Sequence, residues 1–72
     1  MYAVVEILMD DAYMNVVFGI GVGSGIDEKV DEKIFFYVDS MEDLESLKNE
    51  DNGEDFVVTN IKEVFEDSSF LF

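Results

Sequence analysis

Apolar residues fall along this chain in short runs set apart by acidic or glycine-rich stretches. Residues 2 to 9 (Tyr2 to Met9) are rich in Val, Ile and Leu and predict a strand. Asp10-Asp11 reads as a turn, and residues 13 to 22 (Tyr13 to Val22) as a second strand, so the two form a hairpin. Both runs are nearly continuous in apolar residues. Such strands are either covered on both faces or keep one face for a partner. Residues 34 to 38 (Ile34-Phe35-Phe36-Tyr37-Val38) give the clearest strand, and Phe56, Val57, Val58 and Thr59 the last one.

The segments between the strands carry helix signals. Residues 27 to 33 are charged and admit two readings. One is a wide hairpin tip. The other is a short helix, since Ile26, Val30 and Ile34 fit an i, i+4, i+8 row. After Val38, Asp39 or Ser40 can cap a helix, with Glu42 or Asp43 three residues on to complete a capping box. Met41, Leu44 and Leu47 form its apolar stripe, and Lys48 suits its last turn. Asn49 through Asp55, with Asn52-Gly53, form the exit loop. Beyond Thr59, Asn60 and Glu63 suggest another capping box, and Ile61, Val64 and Phe65 lie on one helical face, which predicts a short second helix. The tail Ser68-Ser69-Phe70-Leu71-Phe72 is apolar and is expected to pack back on the sheet or onto a second subunit. The order β-β-β-α-β predicts one α+β domain over residues 1–72. Its sheet is expected to be antiparallel, with one helix on a face and a short C-terminal helical turn.

Gly19, Gly21, Gly23 and Gly25 alternate. In an extended chain they share one face, with Ile20, Val22 and Ile26 on the other, and the bare face admits a close neighbour. A phosphate-binding loop is a poor fit. The spacing G-x-G-x-x-G is not met, no Lys-Ser or Lys-Thr follows, and the acidic residues that do follow would repel phosphate.

Charge is the strongest constraint on the partners this chain can have. Eighteen Asp and Glu stand against four Lys, with no Arg and no His, for a net charge of −14. At 49% hydrophobic and 14% aromatic, the chain nevertheless has enough apolar material to fold. It should be repelled by nucleic acid and by anionic membranes, and its natural partners are basic surfaces. The apolar runs are too interrupted for a membrane span, and no basic leader precedes the first one, so a cytoplasmic protein is expected. The absence of Cys excludes disulfides, thiolate zinc sites and thiol redox chemistry.

Catalytic constellations are missing. No His or Cys can serve as base or thiolate, and Ser24, Ser40, Ser46, Ser68 and Ser69 have no His partner. Close carboxylate pairs are inevitable when one residue in four is acidic, so they carry no weight. The run Glu50-Asp51-Asn52-Gly53-Glu54-Asp55 has calcium-loop composition, but with Gly53 at the sixth position Lys48 and Thr59 fall where the first and last ligands should be. No enzyme activity, cofactor or dedicated metal site is expected.

The acids concentrate in connections and on a helix face. Asp27, Glu28, Asp31 and Glu32 form one cluster. Glu42, Asp43, Glu45, Glu50, Asp51, Glu54 and Asp55 form a second, and Glu63, Glu66 and Asp67 a third. Carboxylates at i, i+3 or i+4 on a helix lie about 5–6 Å apart. A row of them can stand in for phosphates in a Lys- and Arg-lined groove, gaining from steering and counterion release. In size, charge and α+β character the chain resembles the small acidic inhibitors of phages and mobile elements, of the anti-CRISPR and anti-restriction kind, which act as DNA mimics. The resemblance implies an inhibitor of a host nucleic-acid enzyme; on the charge pattern, the first two clusters are expected to contact its basic groove, with no direct binding of nucleic acid. Other readings of the acidity are a homo-oligomeric structural or regulatory module, in which charge serves solubility, and adaptation to high salt.

Overall fold

The computed structural model describes residues 1–25 and 27–72. Strands β1 (Tyr2–Met9) and β2 (Ala12–Ile20) form the expected hairpin, with Met9 opposite Ala12. Asp10 and Asp11 both take positive φ, 52° and 63°. That is the geometry of a two-residue type I′ turn, whose twist matches the flanking strands, and Asp tolerates it better than most residues. Helix α1 (Glu28–Asp31), strand β3 (Ile34–Val38), helix α2 (Met41–Ser46) and strand β4 (Phe56–Phe65) follow, and a 3₁₀ turn spans Ser69–Leu71. The sheet has the order β3-β2-β1-β4, an α+β architecture.

Three expectations are corrected. The sheet is mixed rather than antiparallel, because β3 pairs parallel to β2. A parallel neighbour needs a crossover instead of a tight turn, and the segment containing α1 supplies it. Of the two readings for residues 27–33, the helix is therefore the one formed. The part of the Ile26–Val30–Ile34 row that falls on Ile26 lies outside the described residues.

The second correction concerns residues 60–65, which continue β4 instead of forming a helix. Core-facing Ile7, Val5 and Ala3 of β1 pair with Val58, Ile61 and Val64 of β4. Two bulges interrupt this ladder, one between Val4 and Val5 and one between Glu6 and Ile7. Each bulge adds one residue to β4, so apolar positions that would repeat every second residue repeat every third. That spacing imitates a helical face.

The third correction concerns the glycines. β2 ends at Ile20, and Gly21, Gly23 and Gly25 take positive φ, so they turn the chain rather than line one face. Gly19 alone serves as a bare strand position, with the Tyr37 ring lying directly on it.

One sheet face is closed by α2. Ala3, Val5, Ile7, Phe18, Ile20, Phe56 and Val58 from the sheet meet Leu44 and Leu47 in one core. Phe18 sits among Phe35, Phe36 and Phe56, with ring centroids 6.0–6.1 Å away. Burying an aliphatic or aromatic side chain of this kind stabilises by about 1.5–3 kcal/mol. Ser40 caps α2, its Oγ accepting from the Asp43 N–H at 3.2 Å, as the capping pattern predicts.

Candidate functional site

The opposite sheet face is only half covered. Strand pairing stacks four cross-strand rows on it: Tyr13–Leu8–Val57, Asn15–Glu6–Asn60, Val17–Val4–Glu63 and Gly19–Tyr2–Phe65. The last row is roofed. Phe70 stacks on Phe65 at 3.9 Å and lies 6.2 Å from Tyr2, so the apolar tail does fold back on the sheet. Asp67 precedes that 3₁₀ turn, and the hydrogen bonds it accepts from the Ser69 hydroxyl and N–H hold its carboxyl below the ordinary range. Val30 of α1 is buried on this side, in a cleft shared with Tyr2, Gly23, Asp27, Asp31, Tyr37 and Ser68. The first row stays open, with Tyr13 65% exposed.

The two expected acidic clusters differ in what their carboxylates do. Within the first, Asp27 caps α1 by accepting from the Lys29 N–H at 2.9 Å. Asp31 accepts from the Gly25 N–H at 2.8 Å and from the Tyr37 hydroxyl. Burial first, then the Asp31 bond and charge, push the Tyr37 hydroxyl up to about 12. Asp31 thereby fastens the crossover to β3, while Asp27 closes the start of its own helix. Glu28 and Glu32 remain exposed beside them.

In the second cluster the scaffold is built from neutral groups. Asn52 Nδ2 donates to the carbonyls of Leu47 at 2.9 Å and Phe56 at 3.1 Å, and its Oδ1 accepts from the Glu54 N–H at 2.7 Å. Asn49 Oδ1 accepts from the Asp51 N–H at 3.1 Å, and Val58 N–H donates to the Leu47 carbonyl at 2.9 Å. The loop is thus held in place while Glu42, Asp43, Glu45, Glu50, Asp51, Glu54 and Asp55 all stay exposed.

The register adds two residues that sequence grouping missed. Met9 pairs with Phe56, so the Asp10-Asp11 turn and Asp55 stand at the same end of the sheet. Sequence distance concealed this neighbourhood. The turn itself was the available signal. One acidic strip therefore runs from α2 through its exit loop to the β1–β2 turn. The cluster at α1 lies instead toward the other end of the sheet, where Asp27 and Asp31 line the cleft with Tyr2 and Tyr37. Glu63 lies on the half-open face, whereas Glu66 and Asp67 flank the C-terminal turn.

Positive charge offsets little of this. Lys62 Nζ lies 3.9 Å from Glu6 Oε2, the one ion pair among the described residues. Lys33 instead covers the Phe72 ring at 5.6 Å. Sixteen of the eighteen acidic residues are exposed, and only Glu6 and Asp31 are half-buried. No helix among the described residues is long and apolar enough to cross a membrane. Comparisons with protein families, with curated proteins and with solved structures find no match to this chain.

Proposed function

We propose that this chain is a cytoplasmic, non-enzymatic binding protein that occupies the basic groove of a nucleic-acid-binding protein, its carboxylates taking the place of phosphates. One observation carries the reading. The strip from Glu42 to Asp55 is held in shape by Asn52, Asn49 and backbone groups, while its seven carboxylates make no ion pair among the described residues. A surface designed for solubility intersperses both signs, so that repulsion is relieved locally. Here the repulsion is retained on an ordered scaffold. A partner rich in Lys and Arg relieves it on contact and releases counterions from the groove. In a cell carrying a phage or mobile element, such a protein would act as an inhibitor of the anti-CRISPR or anti-restriction kind.

The test is competition. The immobilised chain is offered the heparin-binding fraction of a bacterial lysate, and captured protein is challenged with duplex DNA or RNA. The expected result is displacement by nucleic acid and steep loss of capture as salt rises. Capture indifferent to both would refute the proposal.

A second reading, self-assembly, is favoured by the free edge of β2. Among the described residues β3 pairs with Val17 to Ile20, and Ala12 to Val16 have no strand neighbour on that side. Sedimentation at rising salt separates the two readings. An assembly module associates further as its charges are screened, whereas the mimic stays monomeric.

A further inference from the structure

The half-open sheet face has an occupant that its charge selects. Tyr13, Leu8 and Val57 make an apolar row across three adjacent strands, with Leu8 opposite Tyr13 on one side and Val57 on the other. At about 4.8 Å per strand the row is roughly 10 Å wide, room for one long side chain lying flat. Leu8 and Val57 floor a shallow groove of about 240 Å³, bordered by Glu50, Glu54 and Asp55. The Asp10-Asp11 turn closes the same end of the sheet. No Lys lines this groove.

We propose that this face docks an arginine-bearing segment of the partner protein, one arginine laying its stem on Leu8 and Val57 with its guanidinium among Glu50, Glu54 and Asp55, while a neighbouring arginine of the segment meets the exposed Tyr13 ring at the other end of the row. The inference rests on the proposed function and names the chemical group that the site would take. Long cationic side chains lay their methylenes on apolar surface and keep their heads at a polar rim. Arginine suits this rim better than lysine, because its planar fork engages carboxylates in pairs and stacks on an aromatic ring. The rival occupants are disfavoured by sign. A second copy brings another −14 to a rim that is already acidic, and nucleic acid or an anionic membrane does the same.

The experiment follows amide shifts of the isotopically labelled protein at physiological ionic strength, during titration with a blocked Arg-Leu-Arg tripeptide and, separately, Lys-Leu-Lys. Shifts are expected to concentrate at Leu8, Tyr13 and residues 54–57, with the arginine peptide binding several-fold tighter. Tyr13→Ala, at a position already exposed to solvent, should weaken the arginine peptide about fivefold. Glu54→Gln should weaken it as well, with the fold checked by the unchanged remainder of the spectrum. Equal shifts at residues 27–32 and 42–45, or an unchanged affinity in Tyr13→Ala, would overturn this docking site while leaving the wider reading of a basic partner in place. No response to either peptide would overturn both.

Discussion

Gly19→Ala tests the contact that locks the crossover onto the sheet. A methyl group at Gly19 would lie 2.5 Å from Tyr37 Cδ1, 2.6 Å from Cε1 and 3.1 Å from Val22 Cγ2. Carbon atoms pack comfortably at about 3.5–4.0 Å, so the ring would have to withdraw by roughly 1 Å. It has little freedom to do so. Its hydroxyl is bonded to Asp31, and Tyr37 is the direct strand neighbour of Gly19. Overpacking of this kind costs about 1–3 kcal/mol, and the tethered ring argues for the upper part of that range. In a domain of this size each kcal/mol moves the melting temperature by about 4–8 °C, so a fall of roughly 8–20 °C is expected. Thermal unfolding followed by circular dichroism measures it. The same substitution in a Tyr37→Ala background should cost far less, because the obstructing ring is gone. A Gly19→Ala protein that melts with the parent would show that the ring is not an obstacle, as would an equal penalty with and without the Tyr37 ring.

Further outcomes follow from the same structure. Asn52→Ala removes three hydrogen bonds that shape the acidic loop and should cost about 1–3 kcal/mol in urea unfolding; a negligible change would mean the loop is held by other means. The Tyr37 hydroxyl titrates near 10.0 when unfolded and at about 12 when folded, so its contribution is full below the first value and lost as pH rises to the second. Alkaline unfolding should show this decline, and Tyr37→Phe should flatten it; an identical profile in the variant would refute the assignment. With a net charge of −14, raising salt from low to moderate concentration should raise the melting temperature by several degrees, since screening shortens the reach of like-charge repulsion to about 10 Å at 0.1 M. A flat or falling trend would show that the carboxylates do not strain the fold.

Local signals proved readable wherever one short segment decides the outcome. The Asp10-Asp11 turn, the Ser40 cap, the Met41–Leu44–Leu47 stripe and the returning tail all depend on contacts within a few residues or on one apolar face. The strand at Phe56–Thr59 is legible, but residues 60–65 imitate a helix because two bulges stretch the apolar period from two to three, and a bulge depends on the register with the partner strand. The parallel pairing of β3 was hidden for a related reason, since a crossover and a wide hairpin tip look alike until the sheet chooses a register.

An unbalanced surplus of carboxylates, enough apolar residues to fold, and a lack of the His and Cys that most catalytic sites employ are all evident from composition. Which carboxylates are free depends on the fold. Asp31 is committed to Tyr37 and Gly25, whereas Glu50, Glu54 and Asp55 stand beside an open apolar row and near a turn some forty residues away in sequence. Charge is a property of each residue, but its availability to a partner depends on which neighbours the sheet brings to it.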